Sequence, residues 1–232
     1  QSTFVIKMEQ KLLLKKKKKK EEKEELKSEQ KMALHALQKQ KQILELKEWL
    51  FILGFIGAGS LLRVPMQAFP NVEPLTFFAL LTGWLFGWKK GAMVGASSLY
   101  ISNFLVFGGQ GPWVIFQVIG YGLVGFLGGF LRKKSGIFSA MGLAFLATVM
   151  LQIILNIGWS FFIGFNFIAA MFTAIPFALI HIVSNTIFAA ALPKAKKAID
   201  KIGKFDEKKL CNDLMAKLNC KLAGRMPKKH PT

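Results

Sequence analysis

The stretch from Ile137 to Ile163 reads IFSAMGLAFLATVMLQIILNIGWSFFI and contains no Asp, Glu, Lys or Arg. At roughly 27 residues it exceeds the about 20 that a helix needs to cross a hydrocarbon core. Barrel strands would be about 10 residues long with alternating polarity, a pattern missing here. Backbone groups in lipid have no water partner, so a run of this length and composition predicts a membrane-spanning helix.

Reading outward from it, five further apolar runs follow the same logic. They span Trp49 to about Val64, Val72 to Trp88, Gly91 to Phe107, Trp113 to Leu131, and Phe167 to Leu192. The breaks are Pro65 to Pro70, Lys89-Lys90, Gly108 to Pro112, Arg132-Lys133-Lys134, and the short turn after Ile163; Pro193-Lys194 ends the series. Basic clusters precede the first run and recur at Lys89-Lys90, Arg132 to Lys134 and Lys194 to Lys197, which are alternate boundaries. The boundaries 65–71, 108–112 and 164–166 hold no Lys or Arg. The positive-inside rule then puts both termini in the cytoplasm, as an even number of spans also requires. The expected fold is all-α: a polytopic protein of six transmembrane helices in the cytoplasmic (inner) membrane, plus a basic N-terminal helix. Its parts are a Lys/Glu-rich helix or disordered tail over 1–47, a transmembrane domain over 48–193, and a basic tail over 194–232.

Charge supports that division. The chain has 232 residues, 32 Lys and Arg, 13 Asp and Glu, and a formal net charge of +19. Residues 49–193 hold only six basic residues and one acid, Glu73. A soluble domain that size cannot cover its surface so sparsely, since about a quarter of residues are ordinarily charged. The polybasic ends are explained by attraction to anionic headgroups; no aromatic-basic interleaving points to nucleic acid. Cys211 and Cys220 lie nine residues apart with no neighbouring His pattern, so free thiols are expected, with neither zinc nor a disulfide framework. Residues 1–47 are too charged for a secretory signal peptide. No phosphate-binding loop, nucleophile elbow or metal-spaced His pair is present, so neither enzyme activity nor a cofactor or metal is expected.

The uncharged polar residues are the candidates for function. Asn103, Gln110, Gln117, Asn156 and Trp159 fall toward the end opposite the basic boundaries, with Arg63 and Glu73 at the same level. Arg63 and Glu73 flank one short loop, so they either pair or face a ligand. With Tyr121, Asn71 and Asn185 they outline a cup for a small polar-aromatic ligand. The loop Arg63 to Pro74 contains Pro65, Pro70 and Pro74, which fix φ and remove donors, so an ordered cap is predicted rather than a linker. His181 and Gln152 also lie within spans; a lone His reads more readily as an interhelix donor than as a catalyst. Small residues four apart let helices approach closely. Gly83, Gly87, Gly91, Gly95, Gly125 and Gly129 fit packing inside the bundle, whereas Gly54, Gly57 and Ala58 on the first run suit an external partner.

The small-residue first helix, the loop Phe69-Pro70-Asn71-Val72-Glu73-Pro74-Leu75-Thr76, Leu80-Leu81-Thr82-Gly83, and glycine-rich helices around Tyr100-Ile101-Ser102-Asn103 together resemble an S component, the substrate-binding membrane subunit of energy-coupling factor vitamin transporters. The likeness covers about residues 48–193. It implies capture of a vitamin or related micronutrient from outside, with the first loop as lid. It also implies partners: a transmembrane scaffold subunit and two cytoplasmic ATPases. The family's helix-one motif would map onto Gly54 and Ala58. The long Lys-rich N-terminus departs from the family pattern, and no motif identifies the vitamin. A self-sufficient secondary carrier or channel is the alternative; the scarcity of intramembrane ionisable residues weighs against it. A membrane-embedded enzyme would have only His181 and scattered hydroxyls to use.

Overall fold

The computed structural model describes residues 2–107, 109–132, 134–164 and 166–223. The described residues form helices and connecting turns, with no strand among them. In order these are α1 (Ser2–Met66), α2 (Leu75–Phe86), α3 (Trp88–Ser102), α4 (Val114–Gly128), α5 (Ile137–Ser160), α6 (Phe167–Ala189), α7 (Leu192–Gly203) and α8 (Phe205–Leu222). Contacts divide the described residues into two units, one of residues 2–46 with 204–223 and one within residues 47–203.

Among the described residues, three helices are long and apolar enough to cross a membrane: Lys20–Met66, which is the larger part of α1, Ile137–Ser160 and Phe167–Ala189. α2 and α4 are apolar but shorter. At 1.5 Å per residue the 12 residues of α2 reach about 18 Å, well short of the about 30 Å hydrocarbon core. Long helices with outward apolar faces mark a membrane protein. On α6 only Ala170, His181, Asn185 and Ala189 are buried, while Phe172, Leu179, Val183 and Ile187 stand exposed.

Several boundaries differ from those the sequence suggests. Lys89-Lys90 does not separate two helices; both residues lie in the first turn of α3, and the break is Gly87. Gly87 has φ +92°, a conformation that glycine adopts without a steric penalty. The two lysines lie near aromatic rings, Lys89 over Trp88 and Lys90 over Trp49, their stems covering apolar surface. Pro65 sits in the last turn of α1 rather than ending it. Pro193 falls in the first turn of α7, where its missing N–H would have had no helical partner anyway. Helical structure therefore continues past 193, and Leu192–Gly203 belongs to the 47–203 unit. Lys/Glu-rich residues within 1–47 are helical and run without a break into the first apolar run.

α2 forms the centre of the larger unit. It touches α3, α4, α5, α6 and α7, and Leu75, Ala79 and Leu80 are fully buried. Ile52 and Phe55 of α1 pack into the same core, Phe55 against Phe78 with ring centroids 5.7 Å apart. The glycines draw α2, α3 and α4 together. A Cβ on Gly83 or Gly91 would strike Gly125 O, and one on Gly125 would strike Gly91 O.

The loops sort to two ends. At one end, Phe107 N donates to Gln67 Oε1 at 3.2 Å, and Trp113 meets Phe162 at 6.0 Å, so the connections after α1, α3 and α5 gather together. At the other, Trp84 Nε1 donates to Arg132 O at 3.0 Å, and Lys196 lies 5.6 Å from the Trp84 ring centre. Lys90 pairs with Glu48 there.

The smaller unit holds the first part of α1 and α8. Gln40 Nε2 donates to Glu207 Oε2 at 3.5 Å, and Lys208 lies 3.9 Å from Glu45. Leu44 and Cys211 are buried, and both cysteine thiols are free.

Candidate functional site

Arg63 occupies the last turn of α1, so its guanidinium reaches the ends of neighbouring helices. Its Nη1 donates to Ser102 Oγ at 2.8 Å and to Asn103 Oδ1 at 2.6 Å. Asn103 Nδ2 in turn donates to Gln117 Oε1 at 2.8 Å. On its other side Arg63 Nε lies 2.9 Å from Glu73 Oε2. The side chains of Arg63 and Glu73 are only 18% and 11% exposed, so this is a partly buried ion pair.

Glu73 extends the chain to α6 and α5. Its Oε1 lies 3.4 Å from His181 Nε2, at the long edge of hydrogen-bond reach and without the alignment of a formed bond. Gln152 Nε2 meets His181 Nδ1. With the Gln152 amide donating to Nδ1, the proton of a neutral imidazole sits on Nε2, the nitrogen nearest Glu73. The result is one polar chain, Gln117–Asn103–Arg63–Glu73–His181–Gln152. It joins α4, the end of α3, α1, the first loop, α6 and α5.

A second polar layer lies one helical turn deeper. Thr76, Thr148 and Asn185 follow Glu73 by three residues and precede or follow Gln152 and His181 by four. Asn185 Nδ2 is 3.2 Å from Thr76 Oγ1 and 3.4 Å from Thr148 Oγ1. Asn185 Oδ1 is buried and lacks a hydrogen-bond partner among the described residues. Tyr121 likewise sits one turn deeper than Gln117, in the apolar core.

The first loop caps the Arg63–Glu73 pair. Phe69 N donates to Met66 O at 2.9 Å and Val72 N to Phe69 O at 3.1 Å, so the loop is a series of tight turns. Asn71 has φ +59°, a region that Asn enters more readily than other non-glycine residues. Its carbonyl accepts from Ser184 Oγ of α6 at 3.4 Å. Between loop and pair lies a shallow cleft of about 230 Å³ whose lining includes Arg63, Gln67, Asn71 and Glu73. That is below the about 300–1,000 Å³ of ordinary small-molecule sites. The polar groups thus satisfy one another here instead of facing an open cup.

The expected cup residues divide accordingly. Arg63, Glu73, Asn103 and Gln117 come together, with Asn71 above them. Asn156 donates to Gln152 O of its own helix at 2.8 Å. Gln110 is exposed, its amide 3.4 Å from Tyr100 O. Trp159 is half exposed and rests beside Phe162. Three members of the site were not among the expected ligand residues: Ser102, Gln152 and His181. A sequence signal for two of them existed. Thr148, Gln152 and Asn156 recur every four residues on α5, and His181 and Asn185 do so on α6. Each pattern is a polar stripe on an otherwise apolar helix.

The small residues of α1 have different surroundings. A Cβ on Gly54 or Gly57 would meet nothing within 4 Å, whereas one on Gly59 would touch Ser98, Leu75 and Phe78 at 3.4–3.5 Å.

Comparison of the chain with protein-family models, with curated proteins and with solved structures finds no match.

Proposed function

We propose that this protein is a six-span, non-enzymatic membrane subunit that captures a vitamin-like micronutrient. It has both termini in the cytoplasm of a cell bounded by its inner membrane. In this reading it is the S component of an energy-coupling factor importer, and a transmembrane scaffold with two ATPases supplies the energy. The observation that carries the proposal is the polar chain from Gln117 to Gln152, held beneath the first loop at the end of the bundle away from the basic turns. Such a chain can exchange its internal hydrogen bonds for those of a ligand while the loop moves. The open face at Gly54 and Gly57 supports a helix partner, since small residues permit close backbone approach.

The test is a thermal-shift screen of the purified protein in detergent against vitamins and their precursors. The proposal expects one of them to raise the unfolding temperature. No response to any, under conditions where a well-characterised S component responds, would contradict it.

One observation favours a second reading. Glu73, beside Arg63 on one side, faces His181 on the other, and an acid–imidazole couple within a bundle is the kind of pair that moves protons in carriers. Solute uptake into liposomes driven by a pH gradient alone, without scaffold or ATPase, would favour that carrier.

A further inference from the structure

α7 carries two interleaved stripes. Leu192, Ala195, Ile199 and Gly203 follow one another at spacings of three and four, and all are fully or partly buried; the helix contacts α2 and α5. Lys194, Lys197 and Lys201 recur at the same spacing and are exposed. Residues three or four apart share a helix face, so one face of α7 is anchored to the bundle and another presents three ammonium groups. None of the three has an ion-pair partner among the described residues.

The local charge is one-sided. Within residues 47–203 the acids are Glu48, Glu73 and Asp200. Glu73 belongs to the opposite end, paired with Arg63. Glu48 pairs with Lys90, and Asp200 with Lys196. Arg132, whose backbone carbonyl accepts from Trp84, and Lys134 are exposed beside the same end. Ile202, 68% exposed, adjoins the lysine stripe. Exposed lysines next to an outward apolar side chain suit the boundary between headgroups and acyl chains.

We propose that Lys194, Lys197 and Lys201 bind the phosphate of an anionic phospholipid, which holds α7 against α2 and α5. The proposal rests on the membrane reading of the bundle and is independent of what, if anything, the polar chain binds. A lipid is favoured over free phosphate because the stripe is flanked by apolar surface rather than enclosed in a polar pocket.

The experiment is native mass spectrometry of the full chain in neutral detergent, titrated with phosphatidylglycerol and, separately, phosphatidylcholine. Phosphatidylglycerol should bind more tightly. Each Lys→Gln change in the stripe should weaken the tightest binding event roughly fivefold, and K194Q/K197Q/K201Q together roughly a hundredfold. The triple Lys→Arg variant should retain binding, and K17Q/K18Q/K20Q, which removes the same charge from the N-terminal basic run, should weaken the tightest binding event far less than the triple Lys→Gln change in the stripe does. The single K197Q variant and the unfolding temperature with each lipid provide a second readout that separates loss of binding from loss of fold in the triple Gln variant. Phosphatidylglycerol should raise that temperature for the wild type and less for K197Q. Equal binding of the two lipids, an equal loss in the charge-matched control, or displacement of the lipid by inorganic phosphate would overturn the proposal.

Discussion

Between α2, α3 and α4 a methyl group on Gly83, Gly91 or Gly125 would strike a neighbouring backbone, whereas on α1 the same group at Gly54 or Gly57 would meet nothing within 4 Å. The residue type is identical and the spacing similar. In the first region the missing side chain is already used, because three helix backbones occupy the space. In the second the space remains open along a helix with Leu50, Leu53 and Leu61 turned outward. Small-residue spacing therefore identifies a surface made for close approach without identifying what approaches it. Only the surroundings of each Cβ separate internal packing from an available face.

Substitutions at the two faces should diverge accordingly. The largest effect is expected for Gly125→Leu, whose side chain has no room against Gly91; no folded bundle should survive extraction into detergent, as judged by size-exclusion chromatography. Gly125→Ala should be recoverable but destabilised by about 3 kcal/mol, at the upper range for overpacking. Wild-type thermal stability in Gly125→Ala would mean that α3 and α4 are farther apart than described. Next comes the polar chain. Arg63→Met leaves Glu73 without its cation, and removal of one partner from a buried pair typically costs about 3–5 kcal/mol. The double variant Arg63→Met/Glu73→Gln should lose less than the sum of its single changes, because it strands no charge; strict additivity would deny the pair its coupling. The smallest effect on the fold is expected for Gly54→Leu and Gly57→Leu, within about 0.5 kcal/mol of wild type. Those two variants should nevertheless fail to co-purify with the proposed scaffold subunit if α1 is the docking helix. Normal assembly would move the interface elsewhere.

How much of this was legible in the sequence varies by interaction range. The long apolar run at 137–163 announces α5, since composition and length suffice to recognise a helix in lipid. Charge alone points to Lys89-Lys90 as the division of α2 from α3. Lys89 and Lys90 remain helical by resting near Trp88 and Trp49, and the chain turns at Gly87. Likewise Pro193 reads as an end but begins α7. Arg63 and Glu73 were legible as a possible pair because one short loop separates them. The contacts of Glu73 with His181, and of His181 with Gln152, were not, since they join residues far apart in sequence whose proximity depends on how α5 and α6 pack against the first loop. The four-residue polar stripes on α5 and α6 were the available clue. They mark the faces that turn inward, though not which partners those faces meet.

What the intact protein carries when it leaves the membrane tests a ligand-capturing role most directly. Mass spectrometry of small molecules released from the detergent-purified chain should find a water-soluble micronutrient in amounts near that of the protein, and markedly less from Asn71→Ala, which alters the loop above the Arg63–Glu73 pair. Release of lipid alone, after growth on media supplying each candidate vitamin, would contradict a ligand-capturing role for the polar chain.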